Sequence, residues 1–276
     1  MMMPNIEAVD ADDGLPVMAV GAWAFEKHAL IRRYVGASRE TRRKWPKRVL
    51  VDLFCGPGRV VDRTRPREVR DGGVVVAFSQ SVQDGAPFSK VIIGDTDPIA
   101  LDACKHRLEA LGASVMTTCA PAVESAPWAL QHLPGNGLHL ALLDPFNIGH
   151  LPFSVIQALA KRAHLDMIIH YSLMDVARNI EMNFVRNAPT FDAFAPGWKA
   201  AINVRNLTKA DARRKFGEHW QSLIRDCGYD IAELRPTMSL PGTKNHLYQM
   251  LLLHRHPLAE HLWNEIAKPP QNAFVF

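Results

Sequence analysis

Three short stretches carry residue types that could bind a nucleoside: "VDLFCGPGR" at 51–59, "IIGD" at 92–95 and "LLDPFN" at 142–147. In the first, an apolar run ends at Asp52, passes Phe54 and turns through Gly56 and Gly58. Glycine reaches positive φ and lets a ligand touch the backbone. Asp52 is placed to orient that turn or to accept a hydrogen bond from a cationic ligand group. In the second stretch Asp95 closes a strand, where one carboxylate can hold both hydroxyls of a ribose. It lies farther from the glycines than the usual spacing of about 20 residues, and the basic stretch 59–71 takes up the excess. In the third, Asp144 and Asn147 could hold an acceptor amine, Phe146 offers a flat face to a base, and Pro145 stiffens the loop.

Other chemistries fit less well. A dinucleotide fingerprint needs Gly or Ala three residues after Gly58, where Val61 stands, and no Gly-Lys-Ser/Thr ending makes a P-loop. Cys55, Cys104, Cys119 and Cys227 are scattered without a CxxC pair. They therefore read as free thiols of a cytoplasmic protein rather than metal ligands. A hydrolase using Asp144, Asp175 and a metal would need several converging oxygen ligands, and the sequence shows no tight acidic cluster.

The elements that must position these groups alternate. Strands are expected at 48–54, 89–95, 113–119, 137–146 and 165–172, and helices at 22–38, 72–83, 97–112, 152–163, 208–228 and 257–268. Asp97 caps the third helix with Pro98 in its first turn, and Thr208 opens the fifth. Alternation of this kind implies right-handed crossovers and a mostly parallel sheet with helices on both faces. Stretches 229–240 and 245–256, separated by Pro241-Gly242, add an antiparallel edge pair, for seven strands in all. Residues 59–71 read as a basic loop inserted in a single α/β domain, 20–276. Residues 1–19, acidic and polar without a signal-peptide pattern, read as a flexible tail. The 276 residues contain no apolar run of about 18, so no membrane span is expected.

The net charge of +4 is unevenly spread. Residues 32–48 carry Arg32, Arg33, Arg39, Arg42, Arg43, Lys44, Lys47 and Arg48 against Glu40 alone, and Arg59, Arg63, Arg65, Arg67 and Arg70 follow. The clustering fits a polyanion-binding face with Arg39, Arg42, Arg43, Arg59 and Arg63 as phosphate contacts; it fits a solvated helix end and loop equally well. His28 reads as a polar residue at the edge of a core, His170 as a packed strand residue, and Trp23, Trp198 and Trp263 as packing residues.

In this order, a glycine turn, a ribose-binding acid and an Asp-Pro-aromatic motif resemble the class I S-adenosylmethionine-dependent methyltransferase fold. The closer resemblance is to the three-Cys-motif partner protein (TcmP) family. It rests on "WAFEKHALIRRYV", "VDLFCGPGRV", the "GG" at 72–73, "IIGDTDP", "LALLDPFN", "YSLMDVARN" and "HRHPLAEHLWNEI", spanning roughly 23–266. The resemblance implies a companion of a radical-SAM-like protein that bears the three cysteines. It also implies that Asp52, Phe54, Gly56 and Gly58 line the methionine and ribose part of a cofactor pocket, with Asp95 on the ribose. Asp144 to Asn147 would face the methyl group and the acceptor, with Asp175, Arg178 and Asn179 at the same mouth and Arg178 among the nucleic-acid contacts.

Two departures from the methyltransferase pattern stand out. The acid that often follows the third strand is replaced by Thr118 and Cys119, leaving Thr118 to accept the adenine amino group; and Asp-Pro-Phe replaces Asp-Pro-Pro-Tyr/Phe. Two functions follow: methyl transfer to a nucleic acid, with the base extruded from its strand, or a non-catalytic nucleic-acid-binding or scaffold subunit of the partner in DNA repair or defence.

Overall fold

A computed structural model describes residues 6–10, 12–186, 189–203, 207–239 and 246–268. In chain order it contains β1 (Ile6–Val9), β2 (Pro16–Val20), α1 (Trp23–Ala37), α2 (Arg39–Arg43), β3 (Lys47–Asp52), β4 (Arg59–Asp62), β5 (Arg65–Asp71) and α3 (Gly73–Gln83). Then come β6 (Lys90–Asp95), α4 (Pro98–Ala110), β7 (Val115–Cys119), α5 (Ala122–Gln131), β8 (Gly137–Leu143), α6 (Phe153–Leu159) and β9 (Leu165–Ser172). The remainder is α7 (Leu173–Arg186), α8 (Pro189–Phe194), α9 (Trp198–Ala201), α10 (Lys209–Asp226), β10 (Asp230–Ile231), β11 (Thr237–Ser239), β12 (His246–His254) and α11 (Pro257–Ala267).

The long apolar strands sort their side chains by the period of two that a pleated strand imposes. Val49, Val51, Ile92, Ala141 and Leu143 enter one core with α5, α6, α8, α9 and α10. Leu50, Val91, Ile93, Leu140 and Leu142 enter a second core on the opposite face with α1, α3, α4 and α11. Strands buried on both faces read as near-continuous apolar runs, which is how this sequence reads.

The main sheet has the order β10-β12-β9-β8-β3-β6-β7, with β11 also paired to β12. Strands β9, β8, β3, β6 and β7 run parallel, and β12 is antiparallel to β9. This is the expected α/β Rossmann-like methyltransferase architecture, mostly parallel and covered on both faces. The antiparallel edge pair takes a more specific form. β12 lies inside the sheet, and its outer neighbour is one edge strand broken into β10 and β11, both antiparallel to β12. Ala232 N and Met250 N donate across the break, to Leu252 O and Pro236 O. The expected Pro241-Gly242 turn lies outside the described residues.

Two expectations are corrected. Segment 59–71 is not a loop: β4 and β5 form a hairpin that joins β1 and β2 in a second sheet of order β1-β2-β4-β5. Residues 1–19 are accordingly not a flexible tail where they are described, because β2 pairs parallel with β4 and its Val17 and Ala19 pack on Val61. The acidic start supplies counter-charges for this sheet. Arg59 meets Asp10, Asp13 and Asp71, and Arg107 of α4 binds Asp13 and the carbonyls of Pro16 and Pro57. Arginines set between short apolar pairs hid the strand period. The neck of the insertion closes where Gly72 N donates to Gly58 O at 2.8 Å. A Cβ on Gly72 would come within 3.1 Å of that carbonyl, a tight approach that a larger residue could meet only by shifting the neck by a few tenths of an ångström.

Candidate functional site

The register of the parallel strands sets three acids at one sheet end. Asp52 pairs with Ile93 on β6 and with Leu142 on β8, so Asp95 and Asp144 each stand two residues beyond its rung. By the same period of two, Asp52, Asp95 and Asp144 continue the rows of Leu50, Ile93 and Leu142 and share the face covered by α1 and α3. This is the carboxyl end of the sheet, where open α/β folds bind ligands.

The glycine turn is tied to the neighbouring strand. Gly56 N donates to Asp95 Oδ2 at 2.9 Å, Asp97 N donates to Asp95 Oδ1 at 3.0 Å, and Cys55 N donates to Gly94 O at 3.1 Å. Each Asp95 oxygen keeps a further lone pair, so the carboxylate can still receive two hydroxyls. Asp52 Oδ1 accepts Phe54 N at 2.9 Å and braces the entry to the turn. Gly56 sits at φ +53°, and a Cβ there would fall 2.7 Å from the Met18 methyl of β2. The second sheet thus closes over the turn. Gly58 faces inward, against Cys104 and Val75, so its role is close packing on α3 and α4. Phe54 is half-buried against the first core, and Thr118, at the end of β7, shares a 3.2 Å hydrogen bond with Ser125.

Electrostatics mark the same place. Burial, reinforced by the charges of Asp144 and Asp95, pushes the Asp52 carboxyl up to about 8. Burial raises Asp95 as well. Burial also works on Asp144, but Lys27 and His170 outweigh it and hold that carboxyl below the usual range. Lys27 Nζ, from α1, donates to Asp144 Oδ2, and His170 Nδ1 of β9 lies 3.4 Å from Oδ1 and 3.2 Å from Pro145 O. His28, next to Lys27 and buried, is pushed down to about 3 and stays neutral. Its Nδ1 has no hydrogen-bond partner among the described residues.

The acceptor loop divides. The Phe146 ring is 66% exposed and free to stack a planar ligand. Asn147 Oδ1 instead accepts Gly149 N at 2.9 Å, capping a short 3-10 turn. Asn147 lines a 380 Å³ cavity with Asp175, Asn179 and Asn183. Asp175 of α7 fixes that loop by accepting Ile148 N at 3.2 Å.

The expected basic face is only partly a surface. Arg42 is buried and holds Val35 O, Ala86 O, Ser38 and Asp84; it is a structural tie, not a phosphate contact. Arg59 is likewise spent on three acids. Arg43 pairs with Glu40 and Asp84 O, Arg39 lies 3.2 Å from Glu40, and Arg63 is exposed. Arg178, on α7, lies apart from these, at a larger cavity beside α10.

Lys27 and His170 were not singled out as site residues from sequence. The β8–β9 pairing places Ile169 beside Leu143, which sets His170 next to Asp144; the strand order, had it been fixed, would have revealed it. Nothing in the helical pattern of α1 distinguishes Lys27.

No family model matches the chain, and no curated protein does. Among solved structures, protein LPL1258 of Legionella pneumophila superposes with a TM-score of 0.53 at 12% identity, covering 86% of this chain and 90% of its own. An S-adenosylmethionine-dependent methyltransferase from Clostridium acetobutylicum gives 0.40 at 11% identity, with 82% and 91% covered. An rRNA methylase from Streptococcus thermophilus gives 0.38 at 12%, with 82% and 94% covered. At these identities the likenesses concern the fold alone, an α/β Rossmann-like one. No helix among the described residues is long and apolar enough to cross a membrane.

Proposed function

We propose that this chain is an S-adenosylmethionine-dependent methyltransferase that modifies a nitrogen on a nucleic-acid base, working beside a radical-SAM-like three-Cys-motif partner. The observation that carries the reading is the in-register set of Asp52, Asp95 and Asp144 around the Gly56 turn. Bound there, the cofactor would supply an electrophilic methyl on a sulfonium, so the protein's task is positioning and electrostatics. The residues fit such a group. Asp95 retains lone pairs for two ribose hydroxyls, and the surplus of carboxylates favours a cationic methionine end. Thr118 stands at the end of the next strand, where an adenine edge would lie.

On the acceptor side, Phe146 presents an open face for a base, and Asp144, held ionised, can take an amine N–H. The TcmP resemblance supports the partner, and this chain's own four cysteines are free thiols. One contact favours the second reading, a non-catalytic binding or scaffold subunit: Lys27 already engages the Asp144 carboxylate. Methyl transfer from radiolabelled S-adenosylmethionine to DNA and RNA, with and without the partner, separates the two. The enzyme reading expects label on the nucleic acid that Asp144→Asn abolishes; transfer unaffected by that substitution would reject Asp144's role.

A further inference from the structure

Away from the carboxylate cluster, α7, α10, β12 and the segment before β11 line a cavity of about 870 Å³. Its walls carry Arg178, Arg213, Arg214, Arg235 and His246 against one acid, Glu218. Arg214 is neutralised, because it holds Glu218 at 2.7 Å and Asp211 at 3.4 Å. The others are not. Arg213 donates to the Lys209 carbonyl and Arg235 to the Gln221 side-chain oxygen, both neutral, while His246 shares a hydrogen bond with Ser239. Three guanidiniums from separate segments thus line one cavity with no carboxylate set against them among the described residues.

A second observation comes from the wall beneath. Trp220 is wholly buried and lines the cavity, yet its indole N–H meets no acceptor among the described residues. An indole nitrogen can only donate, so the side chain calls for an acceptor as the guanidiniums do. Trp220 is already stacked on Phe194, 5.5 Å away at 6°, which makes it a fixed floor rather than a stacking platform. Tyr171 and Met174 continue that floor, and Gly217 keeps it open.

Helix α7 links the cavity to the acceptor loop. Asp175, in the first turn of α7, binds Ile148 N just beyond Asp144–Asn147, and Arg178 lies one turn further along the same helix. From these relations we propose that the cavity holds the phosphodiester backbone of a single-stranded nucleic acid whose neighbouring nucleotide reaches Phe146. Guanidinium forks match phosphate oxygens in pairs, and a cavity of nucleotide size with arginines from several segments suits a strand better than an isolated ion. The proposal rests on nucleic acid being the acceptor and not on the cofactor.

The test is fluorescence anisotropy with labelled 20-nucleotide DNA and RNA single strands, for the full chain and for Arg178→Ala, Arg213→Ala, Arg235→Ala and the triple variant, across a salt series. Each single substitution should weaken binding about tenfold and lower the salt slope by about one, with Tm unchanged because these side chains are not core residues. Arg178→Lys should restore the slope but not the full affinity. Strand binding by the triple variant equal to wild type would overturn the proposal. So would competition by inorganic phosphate, mononucleotide or a phosphopeptide as effective as competition by unlabelled strand. Calorimetry with S-adenosylhomocysteine on the same samples keeps the two readings apart. Lost cofactor binding with intact arginine dependence rejects methyl transfer and retains this site, and the reverse result rejects only this site.

Discussion

The Gly56 amide donates to the Asp95 carboxylate at 2.9 Å, joining the turn after β3 to the end of β6. The contact makes the turn and the ribose-binding acid a single unit. Asp95→Asn leaves one oxygen where two amide donors, from Gly56 and Asp97, now bind. The substitution should cost about 1–3 kcal/mol of stability and at least tenfold in S-adenosylhomocysteine affinity. Chemical denaturation and calorimetry read the two effects separately. Full affinity in Asp95→Asn would remove Asp95 from the site.

Asp52 gives a pH signature. Its carboxyl is pushed up to about 8 by burial and by its two acidic neighbours. A folded-state value above the unfolded one means that the group's stabilising contribution is complete below the unfolded pKa. That contribution is lost as pH rises toward 8. Asp52→Asn keeps the acceptor for Phe54 N and removes the ionisation, so its Tm should exceed that of wild type at pH 8, by about 2 °C or more, and converge with it near pH 4. A cationic ligand would pull the Asp52 proton off, so ligand affinity should rise between pH 6 and 8 in wild type and stay flat in the variant.

Lys27 and Asp144 give the opposite sign. The folded Asp144 carboxyl lies below its usual value, so the stabilisation is present above the unfolded pKa and is lost as pH falls through the folded one. Lys27→Met should lower stability at pH 7 by about 1–2 kcal/mol, less than for a fully buried pair because about a third of Asp144 is exposed. The gap between variant and wild type should narrow as pH falls below the usual carboxylate range. If Lys27 also blocks the acceptor, the same variant gains nucleic-acid methylation; loss of all transfer would make Lys27 part of the machinery instead.

Phe146 and Arg42 separate surface from core. Phe146→Ala removes a ring that is 66% exposed; it should leave Tm within a degree of wild type and weaken single-strand binding roughly fivefold or more, the stacking of one base. Arg42→Ala removes a buried guanidinium with four partners and should destabilise by about 3 kcal/mol. Arg63→Ala, on the exposed hairpin, should leave stability unchanged. Thermal and urea denaturation of the three variants decides this.

What the sequence made legible follows its physics. Long apolar strands and capped helices were plain: Asp97 accepts Ile99 N and Ala100 N, and Thr208 accepts Asp211 N, as the cap signals predict. The three acids could be found because each ends an apolar run at a motif. The second sheet was hidden because its short strands alternate valines with arginines, and their countercharges, Asp10 and Asp13, lie some fifty residues earlier in an acidic stretch that resembles a tail. The basic cavity was hidden for another reason. Arg178, Arg213 and Arg235 come from separate segments and share one cavity only in three dimensions. Arg42 shows the converse, a basic run that contains one core residue.

The central claim, that the ends of β3, β6 and β8 form one nucleoside site, is tested most directly by calorimetric titration of the pure chain with S-adenosylhomocysteine. The account predicts saturable one-to-one binding, lost in Gly56→Val and strengthened from pH 6 to pH 8. No heat and no thermal shift at millimolar ligand, from protein that is folded, would contradict it.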